Sequence, residues 1–311
     1  MGRLKAIVLG SAAGGGYPQW NCRCAVCSLA WQRDPRVKAR TQASIAVSAD
    51  GARWILLNAA PDLRAQIAAT PALHPRCEPA DAQSASVRAS PIEAVVLTGA
   101  EVDQIAGLLD LRERQPLAIY GSGETLASVA DNPIFAVLAP DIVERRIVTL
   151  EQTFTVAGVE IELFAVPGKV PLYLEGHRPD EVQTAEESGA TVGVELRAGG
   201  ASLVFVPGAA AFNEALRTRL ARADLAMIDG TLFTDDEMIR SGSGPKTGRR
   251  MGHMPMDGAG GTLEALAALP GRRVYIHINN TNPVLIAGSP ERRAVEAAGV
   301  EVAEDGMEIE L

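Results

Sequence analysis

The feature that most constrains the fold is a set of short apolar runs in which apolar and polar residues do not alternate. In the runs at residues 55–57, 95–97 and 203–206, every side chain is apolar. A strand with one face in water would alternate apolar and polar residues, so these strands are expected to be buried on both faces. The chain must therefore supply a layer of structure on each side of its sheets.

The order of the elements predicts how many layers there are. Strands come close together first, strands and helices then alternate, a strand-rich stretch follows, and the alternation resumes. This order predicts two mixed sheets packed face to face with helices outside, as one domain over residues 1–311. The predicted strands are 4–9, 43–47, 54–57, 94–97, 117–120, 160–166, 191–196, 202–206, 225–228 and 273–278, and the predicted helices are 62–69, 103–114, 124–130, 213–221 and 262–269.

Two further features concern the connections. Asp50-Gly51 lies between two predicted strands and is typical of a hairpin turn. Residues 74–90 are polar and irregular, which favours a mobile loop, and the glycine-containing stretch 241–250 is a second long loop and a candidate lid.

Charge and hydropathy exclude several classes of protein. Lys plus Arg number 29 and Asp plus Glu number 38, which gives a net charge of −9 and argues against non-specific nucleic-acid binding. No apolar run approaches the ~20 residues that cross a bilayer, and the run at 6–9 is shorter than the ~7–15 residues of a signal core. We therefore expect a cytoplasmic protein without membrane insertion, whose thiols stay reduced.

Cysteine spacing gives the strongest local signal. Cys22, Cys24 and Cys27 form a C-x-C-x-x-C motif, which brings three sulfurs within reach of one tetrahedral zinc ion. Free thiols and an iron–sulfur cluster are the alternatives, and the cluster would usually need Cys77 as well. The fourth zinc ligand must come from elsewhere, and the candidates are His74, Cys77, His177, His253 and His277.

A second group of metal-binding residue types follows predicted strands. Taken singly, each has an ordinary structural explanation, because Asp103 could cap a helix, Asp229-Gly230 could form a turn and a histidine among apolar residues is usually a hydrogen-bonded core residue. Together they form a mixed carboxylate and imidazole set, which suits Fe(II), Mn(II) or an open zinc site. The set is Glu101, Asp103, Asp229 and His277.

Over essentially its whole length, the chain resembles the pyrroloquinoline quinone biosynthesis protein B family of the metallo-β-lactamase superfamily. The most specific matches are the glycine-rich residues 10–16, the cysteine motif and the His-Ile-Asn-Asn-Thr-Asn-Pro segment at 277–283. The matching segments are 9–16, 18–24, 40–42, 58–62, 166–170, 229–231, 235–238, 246–248, 250–253 and 277–283.

The resemblance implies an αββα sandwich with a metal cleft at one edge. It aligns residues 99–104 with the superfamily's H-x-H-x-D-H motif, Asp229 with the bridging aspartate and His277 with the late histidine. By comparison with superfamily phosphodiesterases that carry C-x-C-x-x-C, it points to His253 as the fourth ligand of the structural zinc. Gly99 and Gln104 depart from the family, which usually has Asp or Asn and then His there, so the resemblance implies an active-site metal site that is mononuclear, weaker or empty.

The implied function is a step in pyrroloquinoline quinone assembly, namely iron-dependent, O2-using hydroxylation of the tyrosine-derived ring in a glutamate–tyrosine cross-linked intermediate. In this prediction Asp103, Asp229 and His277 hold the Fe(II), and Glu101 is an added ligand or a base. A non-catalytic carrier or export factor and a metal-dependent hydrolase are the alternatives. Lys169 argues against a two-zinc hydrolase, because it stands where those enzymes have another histidine.

The predicted substrate carries several carboxylates and therefore needs local positive charge despite the net charge of −9. The exposed edges of such sandwiches also favour a homodimer. The candidate substrate-binding cations are Arg40, Lys246, Arg249 and Arg250.

Overall fold

The computed structural model describes residues 3–76, 88–175 and 186–311. Within these residues, fourteen strands form two sheets of seven strands each. The first sheet has the order β14-β1-β2-β3-β4-β5-β6 and the second β13-β12-β11-β10-β9-β8-β7. The strands are β1 (Lys5–Gly10), β2 (Ser44–Ser48), β3 (Trp54–Leu57), β4 (Ile92–Val96), β5 (Leu117–Gly121), β6 (Val143–Ile147), β7 (Thr153–Val156), β8 (Val159–Gly168), β9 (Glu186–Ala198), β10 (Ala201–Val206), β11 (Leu225–Asp229), β12 (Arg272–Ile276), β13 (Glu301–Val302) and β14 (Glu308–Glu310).

Both sheets are mixed, as the order of elements predicts. In the first sheet β14, β1, β2 and β3 pair antiparallel, whereas β3 to β6 pair parallel. The second sheet repeats this division, with β7 to β10 antiparallel and β10 to β13 parallel. Parallel strands place their carboxyl ends at one edge, so each sheet offers an edge where strand-end side chains meet.

Helices cover the outer face of each sheet, and this confirms the predicted αββα architecture. The outer face of the first sheet packs on α2, α3 and α4, and that of the second sheet on α1, α5, α7 and α8. The helices are α1 (Ala25–Trp31), α2 (Leu63–Ala69), α3 (Val102–Ile105), α4 (Gly123–Asp131), α5 (Glu214–Arg222), α6 (Glu237–Arg240), α7 (Leu263–Ala267) and α8 (Pro290–Ala297).

Burial on both faces of the central strands explains their unbroken apolar runs. On β3, Ile55 and Leu57 face the core between the sheets, whereas Trp54 and Leu56 face the helices outside. All four side chains are 2% exposed or less. Removing this apolar surface from water stabilises the fold by roughly 25 cal/mol per Å², and it fixes the strand ends that carry the site.

Several elements were not predicted from the sequence. The strands β6, β7, β13 and β14 lie at sheet edges, and α1, α6 and α8 are short. The predicted helix 103–114 divides into α3 and a 3-10 helix at Ala106–Leu111.

The predicted loop 74–90 falls partly outside the described residues, and its described part has no helix or strand. The structure supports the Asp50-Gly51 turn, since β2 and β3 form an antiparallel pair around it.

Candidate metal centres

Two neighbouring strand ends build the first centre. β11 and β12 are parallel, and Asp229 pairs in register with Ile276, the residue before His277. Asp229 and His277 therefore project from the same edge, and their donor atoms lie within 4.8 Å of each other. The sequence predicts that these two residues meet, and the structure brings them together.

The structure adds a third member to this group and corrects a prediction. His253 does not join the cysteine sulfurs, because its Nδ1 lies 2.9 Å from Asp229 Oδ2 and its ring stacks on that of His277 with 5.1 Å between centroids. Asp229, His253 and His277 thus form a compact set of two imidazoles and one carboxylate. The assignment of His253 to the structural zinc is wrong.

Asp103 contacts His277 through the Nε2 atom of the ring. Its Oδ2 is 2.9 Å from His277 Nε2, and the backbone of Gly14 approaches it closely enough that a Cβ there would come within 3.7 Å. Asp103 is in the first turn of α3 rather than at its N-cap, which is Glu101. The helix-cap explanation for Asp103 therefore fails, and the residue belongs to the centre.

Thr231 occupies the junction between these groups. Its Oγ1 donates to Asp229 Oδ1 at 2.6 Å and lies 2.9 Å from His277 Nδ1 and 3.1 Å from His253 Nδ1. His277 itself has φ of +60°, in the left-handed region that non-glycine residues rarely adopt. Backbone strain of this kind concentrates at functional sites, where the surrounding structure enforces it.

Electrostatics keep the two carboxylates ionised despite their burial. Burial raises the pKa of Asp103, but the hydrogen bond and charge of His277 outweigh it, so the pKa lies below its usual value. For Asp229 the charge and hydrogen bond of His253 have the same effect on the pKa. Burial lowers the pKa of His277, but Asp103 and Asp229 raise it by more, so the pKa lies above its usual value. The centre thus offers two ionised carboxylates beside two imidazoles, a donor set that suits a divalent cation, whose binding would displace the imidazole protons.

Glu101 does not belong to the ligand group. Its carboxylate pairs with Lys169 Nζ at 2.9 Å and accepts the Leu172 backbone N–H at 3.1 Å. These contacts hold Glu101 in the wall of the same cavity, outside the group of close donor atoms, and its alternative role as a base stays a prediction.

The two departures from the family pattern are sterically linked. The Gln104 side chain accepts the Glu101 backbone N–H at 3.0 Å and donates to Thr98 Oγ1. A Cβ at Gly99 would lie 2.6 Å from the Gln104 Oε1 and 3.0 Å from the Ala190 carbonyl. A side chain at position 99 would therefore displace the Gln104 amide from its present position.

A cavity of about 410 Å³ opens in front of the centre. Lys169 and Lys246 contribute positive charge to its wall, and the predicted lid loop 241–250 lines it through Gly244, Pro245 and Lys246. Lys246 thus lines the cavity, and its role in substrate binding stays a prediction. The Arg250 guanidinium approaches Glu175, a residue of that wall, to 3.5 Å.

The other two predicted substrate-binding cations are elsewhere. Arg40 is 5% exposed, and its guanidinium binds the Ala303 carbonyl and approaches Glu304 to 3.6 Å. The Arg249 guanidinium donates to the Ala259 carbonyl at 2.7 Å. Both side chains tie neighbouring segments together rather than line the cavity, so their predicted role is wrong.

The second centre is the cysteine motif. The donor atoms of Cys22, Cys24 and Cys27 lie within 4.8 Å of one another at the start of α1. Burial raises the pKa of the Cys24 thiol to about 12, and a bound cation would convert such thiols to thiolates. The three sulfurs therefore fit one zinc ion.

Asn280 lies over these sulfurs and is the residue that sequence reasoning missed. Its Nδ2 is 3.2 Å from both Cys22 Sγ and Cys27 Sγ. Among the candidates for the fourth ligand, His74 bonds to the Ala68 carbonyl, and Cys77 and His177 lie outside the described residues. The only sequence signal for Asn280 is its place three residues after His277 in an amide-rich segment.

Comparison with known proteins agrees with this architecture. The family described as beta-lactamase superfamily domain matches residues 53–278. The chain is 54% identical to coenzyme PQQ synthesis protein B of Methylobacterium nodulans over 310 residues, which is 99% of this chain and 100% of that one. The chain belongs to the coenzyme PQQ synthesis protein B family.

Other relatives support the same placement. Coenzyme PQQ synthesis protein B of Rhizobium meliloti is 50% identical, with 99% of this chain and 98% of that one covered. The crystal structure of Zn(2+)-bound PqqB from Methylobacterium extorquens superposes with a TM-score of 0.93 at 53% identity, covering 99% of this chain and 100% of that one. A diphosphatase of the PhnP family, 18% identical, superposes with a TM-score of 0.67 over 99% of this chain and 97% of that one, and shares the fold.

No helix among residues 3–76, 88–175 and 186–311 is long and apolar enough to span a bilayer.

Proposed function

We propose that this protein acts in pyrroloquinoline quinone biosynthesis, and that it hydroxylates the tyrosine-derived ring of a glutamate–tyrosine cross-linked intermediate with Fe(II) and O2. The observation that carries the proposal is the donor set of Asp229, His253 and His277 within 4.8 Å. Two histidines and one carboxylate are the ligand set of non-haem Fe(II) oxygenases. The names of the PQQ synthesis relatives supply the pathway.

The residues present fit such an ion. Asp229 and Asp103 supply negative charge, His253 and His277 supply imidazole nitrogens, and both aspartates stay ionised at neutral pH. Bound Fe(II) would supply the capacity to activate O2 next to a coordinated substrate. The Thr231 hydroxyl contacts the Asp229 carboxylate and both rings, and it would hold these donors in place around the ion.

The cavity suits an acidic, peptide-derived substrate. Lys169 and Lys246 offer charge-assisted hydrogen bonds to carboxylates, and Leu172 and Met251 add apolar surface for a ring. In the reaction one oxygen atom of O2 enters a ring C–H bond and the other leaves as water. The balance needs two electrons and two protons, which we assign to an external two-electron reductant such as ascorbate.

The cysteine centre has a structural role in this proposal. Cys22, Cys24 and Cys27 would hold one zinc ion, with the Asn280 amide over the fourth face. The relative from Methylobacterium extorquens is a Zn(2+)-bound protein in its crystal structure, which supports zinc as the ion of this family. Zinc would fasten α1 to the segment that carries His277.

The test is anaerobic reconstitution with Fe(II), followed by addition of the cross-linked dipeptide, ascorbate and O2. We expect a product heavier by one oxygen atom, labelled when ¹⁸O2 is used, as measured by mass spectrometry. Asp229→Ala, His253→Ala and His277→Ala should each abolish it. Absence of product with Fe(II), Mn(II) and zinc alike would refute the hydroxylase.

A carrier of the quinone or its precursor is the second candidate. It is favoured by Gln104, whose amide is engaged with Glu101 and Thr98 and so cannot replace the family's histidine as a ligand. One zinc ion per chain without bound iron, together with tight binding of pyrroloquinoline quinone and no turnover, would support the carrier.

A further inference from the structure

A buried carboxylate occupies the cationic wall of the cavity. The Glu175 side chain is 4% exposed, and its Oε1 lies 2.8 Å from Lys169 Nζ. Its Oε2 approaches Lys246 Nζ to 3.7 Å and Arg250 Nη2 to 3.5 Å. Three cations thus converge on one carboxylate from both of its oxygens, which is how a protein binds the carboxylate of a ligand.

Lys169 shares its ammonium between two carboxylates of the described residues, since it also pairs with Glu101 at 2.9 Å. Burial alone would raise the pKa of Glu175, but the three cations hold it below its usual value. Glu175 is therefore an anion at neutral pH, and it lies in the cavity wall beside these cations.

The segment that carries Glu175 has little apolar anchoring. None of the residues Leu172–Leu174 is buried, and the three side chains are 59%, 41% and 50% exposed. Among the described residues, its polar contacts include the Leu172 N–H on Glu101 and the Tyr173 hydroxyl, which contacts the Ala100 carbonyl and Asn132. Because residues 172–174 are not buried, separating Glu175 from its cations would disturb little of their apolar packing.

We propose that Lys169, Lys246 and Arg250 form the carboxylate subsite of the substrate, and that Glu175 is an internal carboxylate that the substrate's carboxylate displaces. This inference rests on the proposed function for the class of ligand, an aromatic or peptide-derived polycarboxylate. Glu175 keeps the subsite occupied and desolvated until the substrate exchanges with it, so its charge competes with substrate binding.

The opposite explanation makes a prediction of opposite sign. If Glu175 were only a clamp that holds the cavity wall in shape, loss of its charge would loosen the wall and weaken ligand binding. If Glu175 competes with the ligand, loss of its charge should strengthen binding.

The experiment measures binding of pyrroloquinoline quinone, a tricarboxylate, to the zinc-loaded full chain by titration calorimetry. We expect Glu175→Gln to bind it about tenfold more tightly than wild type, and Lys246→Met about tenfold more weakly. Glu308→Gln, an exposed residue of β14, is the charge-matched control and should bind like wild type. The trimethyl ester of the quinone should not distinguish Glu175→Gln from wild type.

Equal or weaker binding of pyrroloquinoline quinone by Glu175→Gln, with an unchanged melting temperature, overturns the subsite. A general gain that Glu308→Gln shares would assign the effect to net charge and also overturn it. The hydroxylase assay on the same preparations separates the two proposals, because absence of hydroxylated product bears on the reaction and leaves the binding comparison intact.

Discussion

The two metal centres differ in how they are assembled. The cysteine centre takes its three sulfurs from six consecutive residues, Cys22 to Cys27, whereas the cavity centre takes its donors from four distant positions. Yet the segment 277–283 serves both, because His277 faces the cavity and Asn280 covers the sulfurs. Local spacing therefore identifies the cysteine centre, whereas only the tertiary structure shows which centre His277 and Asn280 each face.

The largest expected effect is on stability and comes from the cysteine centre. Cys27 is completely buried, and the binding free energy of a structural zinc contributes to folding. We expect Cys27→Ser to lose zinc and to lower the melting temperature by on the order of 10 °C. Metal analysis and thermal unfolding measure both, with Ser28→Ala as the control. Retention of zinc by Cys27→Ser would refute the assignment.

The next test removes His253 and Asn280 in turn, because only the structure assigns each of them to a centre. We expect His253→Ala to lower Fe(II) affinity about a thousandfold, beyond the ten- to hundredfold effect of outer contacts, and to keep its zinc. Asn280→Ala should lower zinc affinity about tenfold and leave Fe(II) binding intact. Parallel metal titrations decide the matter, and zinc release by His253→Ala would restore the interpretation from the sequence.

The segment between the centres should impose a pH dependence on stability. Burial raises the pKa of Glu237 to about 7, and its carboxylate accepts from Thr281 Oγ1, which in turn accepts from Asn279. Because the folded-state pKa lies above its ordinary value of 4.5, the folded protein favours the neutral form of Glu237. This contribution to the free energy of unfolding is fully present below the ordinary pKa and is lost as pH rises through the folded-state value. The loss is on the order of 3 kcal/mol.

Glu237→Gln should remove this part of the pH dependence and be the more stable protein at about pH 8. Urea unfolding at about pH 5 and about pH 8 measures the difference between the two proteins. An equal pH dependence in wild type and variant would show that Glu237 titrates at its ordinary pKa.

The smallest expected effect concerns the residue that joins the cavity donors. Thr231→Val removes the hydroxyl that contacts Asp229, His253 and His277, and we expect Fe(II) affinity to fall about tenfold. Thr231→Ser keeps the hydroxyl and should bind Fe(II) nearly as wild type does. Equal affinities for the valine and serine variants would mean that the hydroxyl does not position the ligands.

The predictability of the molecule follows the range of the interactions. The buried strands were predictable because burial on both faces leaves an unbroken apolar run, whereas the edge strands β6 and β7 carry exposed polar residues and leave no such mark. Asp229 and His277 were predictable because each ends an apolar run. His253 was misassigned because no strand precedes it and its neighbours in sequence do not indicate which centre it faces.

The sequence by itself determined the layered α/β architecture, the three-cysteine motif and the family. These depend on periodicity and on spacing along the chain, which the backbone preserves on folding. Only the tertiary structure decided that His253 joins the cavity, that Asn280 covers the sulfurs, that Arg40 is structural and that Glu175 neutralises the cationic wall. Those outcomes depend on distances between segments far apart in sequence, and such distances are fixed by the packing of the two sheets.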